Sequence, residues 1–345
     1  MKILKADYNT ELFTLFANGP HLIDRFYQSK SASEIYDELS PSKEFFTHGE
    51  GQAYVCISDE NENLVLGRIY VSIDYLTASN IGMFGYFDLI NDRQVAEMLI
   101  KAASEWLKSR NRFELHGPIN LNIYNGYRVQ TKGFTETPFI GEPRSMNYYF
   151  TLLENFGFTK ITSWSSWDFS ILWYPIFWVV VEIKIIKNKL LNKNKQYKII
   201  PFDKNNIENE FEKLYPLIME NFKDNYLFTN VSLNEYKSYF LGLSQILDSS
   251  SSIIVDTLRD EIIGFGFTYP NLIDPKKQKA LVLHTMCIAE KARKTGLVYL
   301  LNQYTNKKVM TRYRFFIGAL AKEGRTVYDK LGSPSRNYAV YKINL

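Results

Sequence analysis

Leu281-Val282-Leu283-His284-Thr285-Met286-Cys287-Ile288-Ala289, followed at once by Glu290-Lys291-Ala292 and then Arg293-Lys294-Thr295-Gly296-Leu297-Val298, decides how this chain is read. The first nine residues form an apolar run of strand length. From Leu297 to Val309 the apolar residues recur at helical spacing. A strand that turns into a helix in this way presents backbone N–H groups and the positive end of the helix dipole, which suits a phosphate or pyrophosphate. Gly296 permits a positive φ and a close backbone approach, and Arg293 and Lys294 add charge at the rim. The six residues of the turn are commonplace at protein surfaces. The strand before them and the helix behind them give them weight.

Upstream of this stretch, Ser252–Asp256 and Glu261–Phe267 flank the charged turn Arg259-Asp260 as a hairpin. A strand at Phe315–Leu320, a helix ending at Gly332 and a strand at Tyr338–Ile343 complete this half. The first half repeats the plan after a mixed, largely helical region through Phe46. Gln52–Ile57 and Leu64–Tyr70 read as a hairpin, Ile81–Leu89 as a strand, and Asp92–Ser109 as a helix with Val95, Leu99, Ala102, Ala103 and Trp106 on one face. The expected fold is α/β with mixed sheets, as two tandem domains, each a central sheet flanked by helices. The boundaries are 1–183, a basic linker at 184–198, and 199–345.

With 345 residues the chain is long enough for two cores. A net charge of +4 is too small for the concentrated basic field of a nucleic-acid binder, so no nucleic-acid partner is expected. Two cysteines and four scattered histidines offer no metal-ligand spacing, so no metal is expected. The N-terminus has no apolar signal core, which predicts a cytoplasmic protein. Phe169–Val181 is almost wholly apolar, and six lysines follow between Lys184 and Lys198. Thirteen residues fall short of the ~20 that span a bilayer as a helix. The segment reads as a buried terminal strand followed by a solvated linker, or as a peripheral membrane contact through 169–198.

About thirty residues after the basic turn comes Tyr328-Asp329-Lys330-Leu331-Gly332. The two motifs together resemble the GNAT superfamily of acyltransferases over residues 250–343. Arg293, Gly296 and Val298 fill the three defined places of that family's pyrophosphate loop, although Val298 is larger than the small residue expected. The resemblance implies acetyl-CoA or another acyl-CoA as co-substrate, held by Arg293, Lys294, Thr295, Gly296, Leu297 and Val298 and by the strand residues Met286, Cys287 and Ile288. It places Tyr328 near the thioester sulfur. The family's asparagine before that helix is replaced by Lys322-Glu323-Gly324. The first half is similar to tandem GNAT-like proteins at His116-Gly117-Pro118-Ile119-Asn120, Tyr127-Arg128 and Pro138-Phe139. Its loop Ile90-Asn91-Asp92-Arg93-Gln94-Val95 has no glycine and carries an acidic residue where a phosphate would sit, so this half is expected not to bind acyl-CoA.

Acyl transfer to an amine needs the neutral amine, and an alkyl ammonium of pKa near 10.4 gives up its proton at pH 7 at a cost of about 4–5 kcal/mol. His284 and Glu290 are candidate bases, and each is also readable as a packed or solvated residue. Cys287, mid-strand, is not expected to be a nucleophile. Asn120, Tyr124, Tyr127 and Arg128 are candidate acceptor-binding residues, with an Arg128–Glu142 ion pair holding a long loop as the structural reading. The expected function is acyl-CoA-dependent N-acyl transfer to a small-molecule, amino-acid or lipid amine. A non-catalytic acyl-CoA-binding or partner-binding scaffold is the alternative.

Overall fold

In chain order the elements are β1 (Lys2–Ala6), α1 (Glu11–Asn18), α2 (Ala32–Glu38), α3 (Phe45–His48), β2 (Gly49–Ile57), β3 (Val65–Asp74), β4 (Ile81–Leu89), α4 (Arg93–Lys108), β5 (Glu114–Gly117), β6 (Val129–Lys132), α5 (Tyr149–Phe156) and β7 (Thr159–Ser170). Then come α6 (Tyr174–Leu190), β8 (Tyr197–Pro201), α7 (Ile207–Phe222), α8 (Leu233–Ser244), β9 (Ser252–Asp256), β10 (Glu261–Pro270), β11 (Ala280–Ile288), α9 (Leu297–Val309), β12 (Phe315–Lys322) and β13 (Arg336–Asn344). This computed structural model describes residues 1–190, 195–273, 279–324, 328 and 332–345. The expected helix ending at Gly332, with Asp329, Lys330 and Leu331, lies outside the described residues apart from Tyr328 and Gly332.

The thirteen described strands form one sheet in the order β1-β2-β3-β4-β5-β13-β7-β12-β11-β10-β9-β8, with β6 paired to β13. The order is a palindrome about the β13–β7 seam. Each half runs through four antiparallel strands, β1 to β4 or β8 to β11, and a parallel fifth, β5 or β12. The repeat read from the sequence is therefore real at the level of topology. The halves exchange their last strands: β7 lies beside β12, and β13 lies beside β5. Helices cover both faces of the sheet. In the first half α4 and α5 bury Val95, Leu99, Trp106 and Leu153 on one side, while α1 and α2 bury Phe13, Phe16 and Ile35 on the other. His48 adds a polar tie between the halves, its ring nitrogens 3.0 Å from Asp74 and 2.9 Å from Glu235 on α8.

Two expectations are corrected. The opening region through Phe46 begins with β1, an edge strand paired to β2. The apolar run Phe169–Val181 is not a strand beyond Ser170, because α6 takes over at Tyr174. The basic stretch 184–198, expected as a linker, accordingly begins inside α6; its residues 191–194 lie outside the described residues.

Candidate active site

β11 and β12 pair in parallel only from Ala280–Leu283 to Phe315–Gly318, and then separate although both continue. The cause is local on each side. Along the β10–β11 ladder the register slips so that His284 is left over between Leu283 and Thr285. On the other flank the β12–β7 register slips between Gly318 and Ala321, where Leu320 takes a positive φ of 54°. Bulges bend strands and interrupt pairing. Together these two open a cleft between the strands.

The floor of the cleft is backbone. Ala289 N–H donates to Ile263 on β10. By strand alternation, the N–H groups of Met286 and Ile288 point away from β10, toward the side that β12 has left. Met286 is exposed there, whereas the Cys287 side chain faces the opposite core with Phe211 and Phe265. Burial pushes the Cys287 thiol up to about 12, which suits a packed thiol and not a nucleophile.

Beyond the strand, Glu290–Thr295 form a 3₁₀ turn and Gly296 takes φ +81° before α9 begins. No side chain caps α9, so its first turn is free of the Ser, Asp or Asn oxygen that usually occupies such a site. Arg293 lines the cleft, its Nε donating to the Ile288 carbonyl at 3.3 Å. Val298 lines it too. Lys294 is exposed beside it, Thr295 donates to the Ala292 carbonyl, and Leu297 is buried in the core beneath. The side chain of Leu297 therefore serves packing. A Cβ at Gly296 would collide with the Asn188 side chain, which places the end of α6 against this turn.

The first half has the same opening in principle and closes it. β4 and β5 pair over Ile81–Met83 and Glu114–His116, and the turn after Gly117 then crosses the gap. Ile119 N–H donates to Phe84 at 2.6 Å, and the Asn120 side-chain oxygen accepts from Tyr86 N–H at 2.8 Å. At the head of α4, Asp92 accepts from Val95 N–H at 3.1 Å. A carboxylate thus caps the head of α4, where α9 has no side-chain cap.

The open cleft is part of a cavity of about 2490 Å³ that runs from α9 into the first half. That is larger than the ~300–1,000 Å³ of a common small-molecule site. Asn120, Tyr124, Tyr127 and Arg128 all line it, but their polar groups differ in what they are free to do. The Asn120 side-chain oxygen is taken by the Tyr86 N–H, and Tyr124 donates to the Thr229 carbonyl at 2.7 Å and stacks on Tyr239. Arg128 does not pair with Glu142, whose carboxylate instead lies 3.2 Å from Arg336 and 3.6 Å from Arg144. Its guanidinium sits 4.0 Å from the Tyr127 ring centre and 4.1 Å from that of Trp164, and donates to the Tyr127 hydroxyl. The Arg128 Nε has no hydrogen-bond partner, and no described carboxylate lies within ion-pair distance of the group.

His284 lines the cavity with Nδ1 2.7 Å from the Thr285 hydroxyl. Burial, with the Arg128 charge adding to it, lowers its pKa to about 4, so the imidazole is neutral at pH 7. Tyr328 rests between Trp167 and Phe169 of β7, at ring distances of 5.6 and 5.5 Å. Its ring lies over Gly318, where a Cβ would approach to 2.9 Å, and burial raises the phenol to about 12. Glu290 is exposed on the 3₁₀ turn. Sequence reasoning missed Trp164, Trp167 and Phe169, which come from the exchanged strand. A glycine inside the strand Phe315–Lys322 was the available signal, since it marks a place where another group comes close. No cluster of metal-ligating side chains exists among the described residues.

No protein-family model matches the chain. Protein YghO of Escherichia coli is 28% identical over 158 residues, which is 45% of this chain and 38% of that protein. The bacterial ceramide synthase of Caulobacter vibrioides is 23% identical over 242 residues, 68% of this chain and 59% of that protein. The chain thus spans less than two thirds of either relative. Among solved structures, a tandem GNAT protein from the clavulanic acid biosynthesis pathway superposes with a TM-score of 0.54 at 9% identity, covering 99% of this chain and 98% of that one.

Proposed function

We propose that this tandem GNAT fold transfers an acyl group from an acyl-CoA to the amine of a long-chain lipid, with its second half holding the cofactor. The observation that carries the reading is the contrast between the halves: among the described residues, only the β11–β12 cleft is open, and only α9 begins uncapped behind a positive-φ glycine. In this reading the pyrophosphate binds at the start of α9, with Arg293 and Lys294 beside it. The pantetheine arm follows β11, and the Met286 and Ile288 amides polarise the thioester carbonyl.

The acceptor amine attacks that carbonyl, the C–S bond breaks, and the products are an amide and free coenzyme A. An imidazole of pKa about 4 is too weak to strip an ordinary ammonium. Arg128 resolves this difficulty. A buried cation and a desolvated wall lower the pKa of an ammonium brought beside them, by up to ~3–5 units when burial is complete. The amine then arrives largely neutral, and His284 accepts its proton only as the new C–N bond makes that nitrogen acidic. Tyr328, at about 12, does not transfer its proton fully to a thiolate of pKa near 8.5, a step uphill by about 5 kcal/mol. It instead donates a hydrogen bond to the departing sulfur.

A lipid acceptor is favoured over an amino acid by the cavity volume and by the name of the Caulobacter relative, since a ceramide is the amide of a long-chain amino alcohol. Calorimetry with acetyl-CoA and palmitoyl-CoA tests cofactor binding, and thiol release with sphinganine tests turnover. Folded protein that binds neither thioester would sink the proposal. Gly296→Glu should abolish binding; unchanged affinity in that variant would place the cofactor elsewhere.

A further inference from the structure

α6 buries Val181 and Ile185 and is tied to α9 by a hydrogen bond of 2.6 Å between Glu182 and Gln303. Its opposite side is also apolar, and it is open. Val179, Ile183 and Ile186 are 55%, 59% and 56% exposed, and Leu172 just before the helix is 83% exposed. At about 100° per residue, Val179, Ile183 and Ile186 fall within an arc of about 60°. Val180, Lys184 and Lys187 form the next strip, and all three are exposed. Long basic side chains flanking an exposed apolar stripe are the arrangement of a helix lying in a membrane interface, with the stripe among acyl chains and the ammonium groups at headgroup level. No helix of the described residues is long and apolar enough to cross a membrane.

Two further observations choose the occupant. The chain after α6 continues the basic charge, with Lys195 and Lys198 exposed, so the surface that meets it is anionic. Val180 and Lys184 also line the cavity, which makes one wall of the acceptor chamber continuous with the exposed stripe. We infer that the outer face of α6 and the lysines after it seat the protein on an anionic lipid surface, from which a lipid acceptor passes beside Val180 and Lys184 into the cavity. The seating stands on α6 alone, while what enters the cavity rests on the acyl-transfer reading.

The test is flotation of the full chain with vesicles of phosphatidylcholine containing about 30% phosphatidylglycerol, and with phosphatidylcholine alone. Wild type should float with the anionic vesicles. The triple change Val179→Ser, Ile183→Ser and Ile186→Ser should lower that partition at least tenfold. Lys187→Gln, Lys195→Gln and Lys198→Gln together should lower it on the order of a hundredfold on anionic vesicles only. Acyl-CoA affinity measured without vesicles should be unchanged in both variants, which separates lost seating from lost folding and from failure of the cofactor assignment. A wild type that binds acyl-CoA but stays with the unfloated protein overturns the seating and leaves the acyl-transfer reading intact. Light scattering that shows a dimer becoming monomeric in the serine variant, with vesicle partition unchanged, also overturns it, because a second copy then covers this face.

Discussion

Trp167, Phe169 and Gly318 bring the Tyr328 ring to the cleft wall, and burial raises its phenol to about 12. Tyr328→Phe removes only the hydroxyl and should lower kcat by about 10- to 10³-fold with little change in acyl-CoA affinity. Steady-state kinetics beside calorimetry separate the two, and an unchanged kcat would remove the phenol from the mechanism. His284 gives a pH signature with a definite sign. Its folded pKa of about 4 lies below the ordinary 6.5, so its stabilising contribution is complete above pH 6.5 and is lost as pH falls toward 4. Arg128→Gln removes one of the two causes and should raise the His284 pKa, as followed by the imidazole carbon resonances. A pKa unmoved by that change would mean that burial alone holds the ring neutral, and the electrostatic role of Arg128 would fall with it.

Elements with regular periodicity were legible nearly to the residue: β4 over Ile81–Leu89 and α9 over Leu297–Val309 match their sequence readings. α6 was not, because an apolar run without alternation fits strand and helix alike, and only its position in the fold decides. The two helix starts were legible from opposite chemistry, Asp92 in one half and Gly296 in the other. That contrast gives a paired prediction. Asp92→Ala removes a cap and should cost about 1 kcal/mol of stability in a thermal melt without weakening acyl-CoA binding. Gly296→Ala, at φ +81° and against Asn188, should cost about 1–2 kcal/mol and weaken binding as well. If Asp92→Ala alone weakens acyl-CoA binding, the cofactor has been assigned to the wrong half.

At the scale of the whole molecule the sequence displayed two repeats but not their exchange. Strand order within a half follows from short connections, whereas the choice between pairing β7 with β5 or with β12 depends on contacts more than a hundred residues apart. The consequence for function is direct. Trp167 and Phe169 reach Tyr328 of the second half on a strand of the first, and β13 completes the first half's sheet from the far end of the chain. Cutting the chain between 190 and 195 therefore leaves each piece without a central strand: 195–345 loses β7, and 1–190 loses β13. Exposed edges of that kind promote aggregation. Each fragment expressed alone should be insoluble or lack a cooperative melt. The two expressed together should recover a single transition and acyl-CoA binding, because the missing strands are supplied in trans. A soluble 195–345 fragment that melts cooperatively and binds acyl-CoA with the affinity of the full chain would show that β7 is dispensable and that the second half is a complete unit.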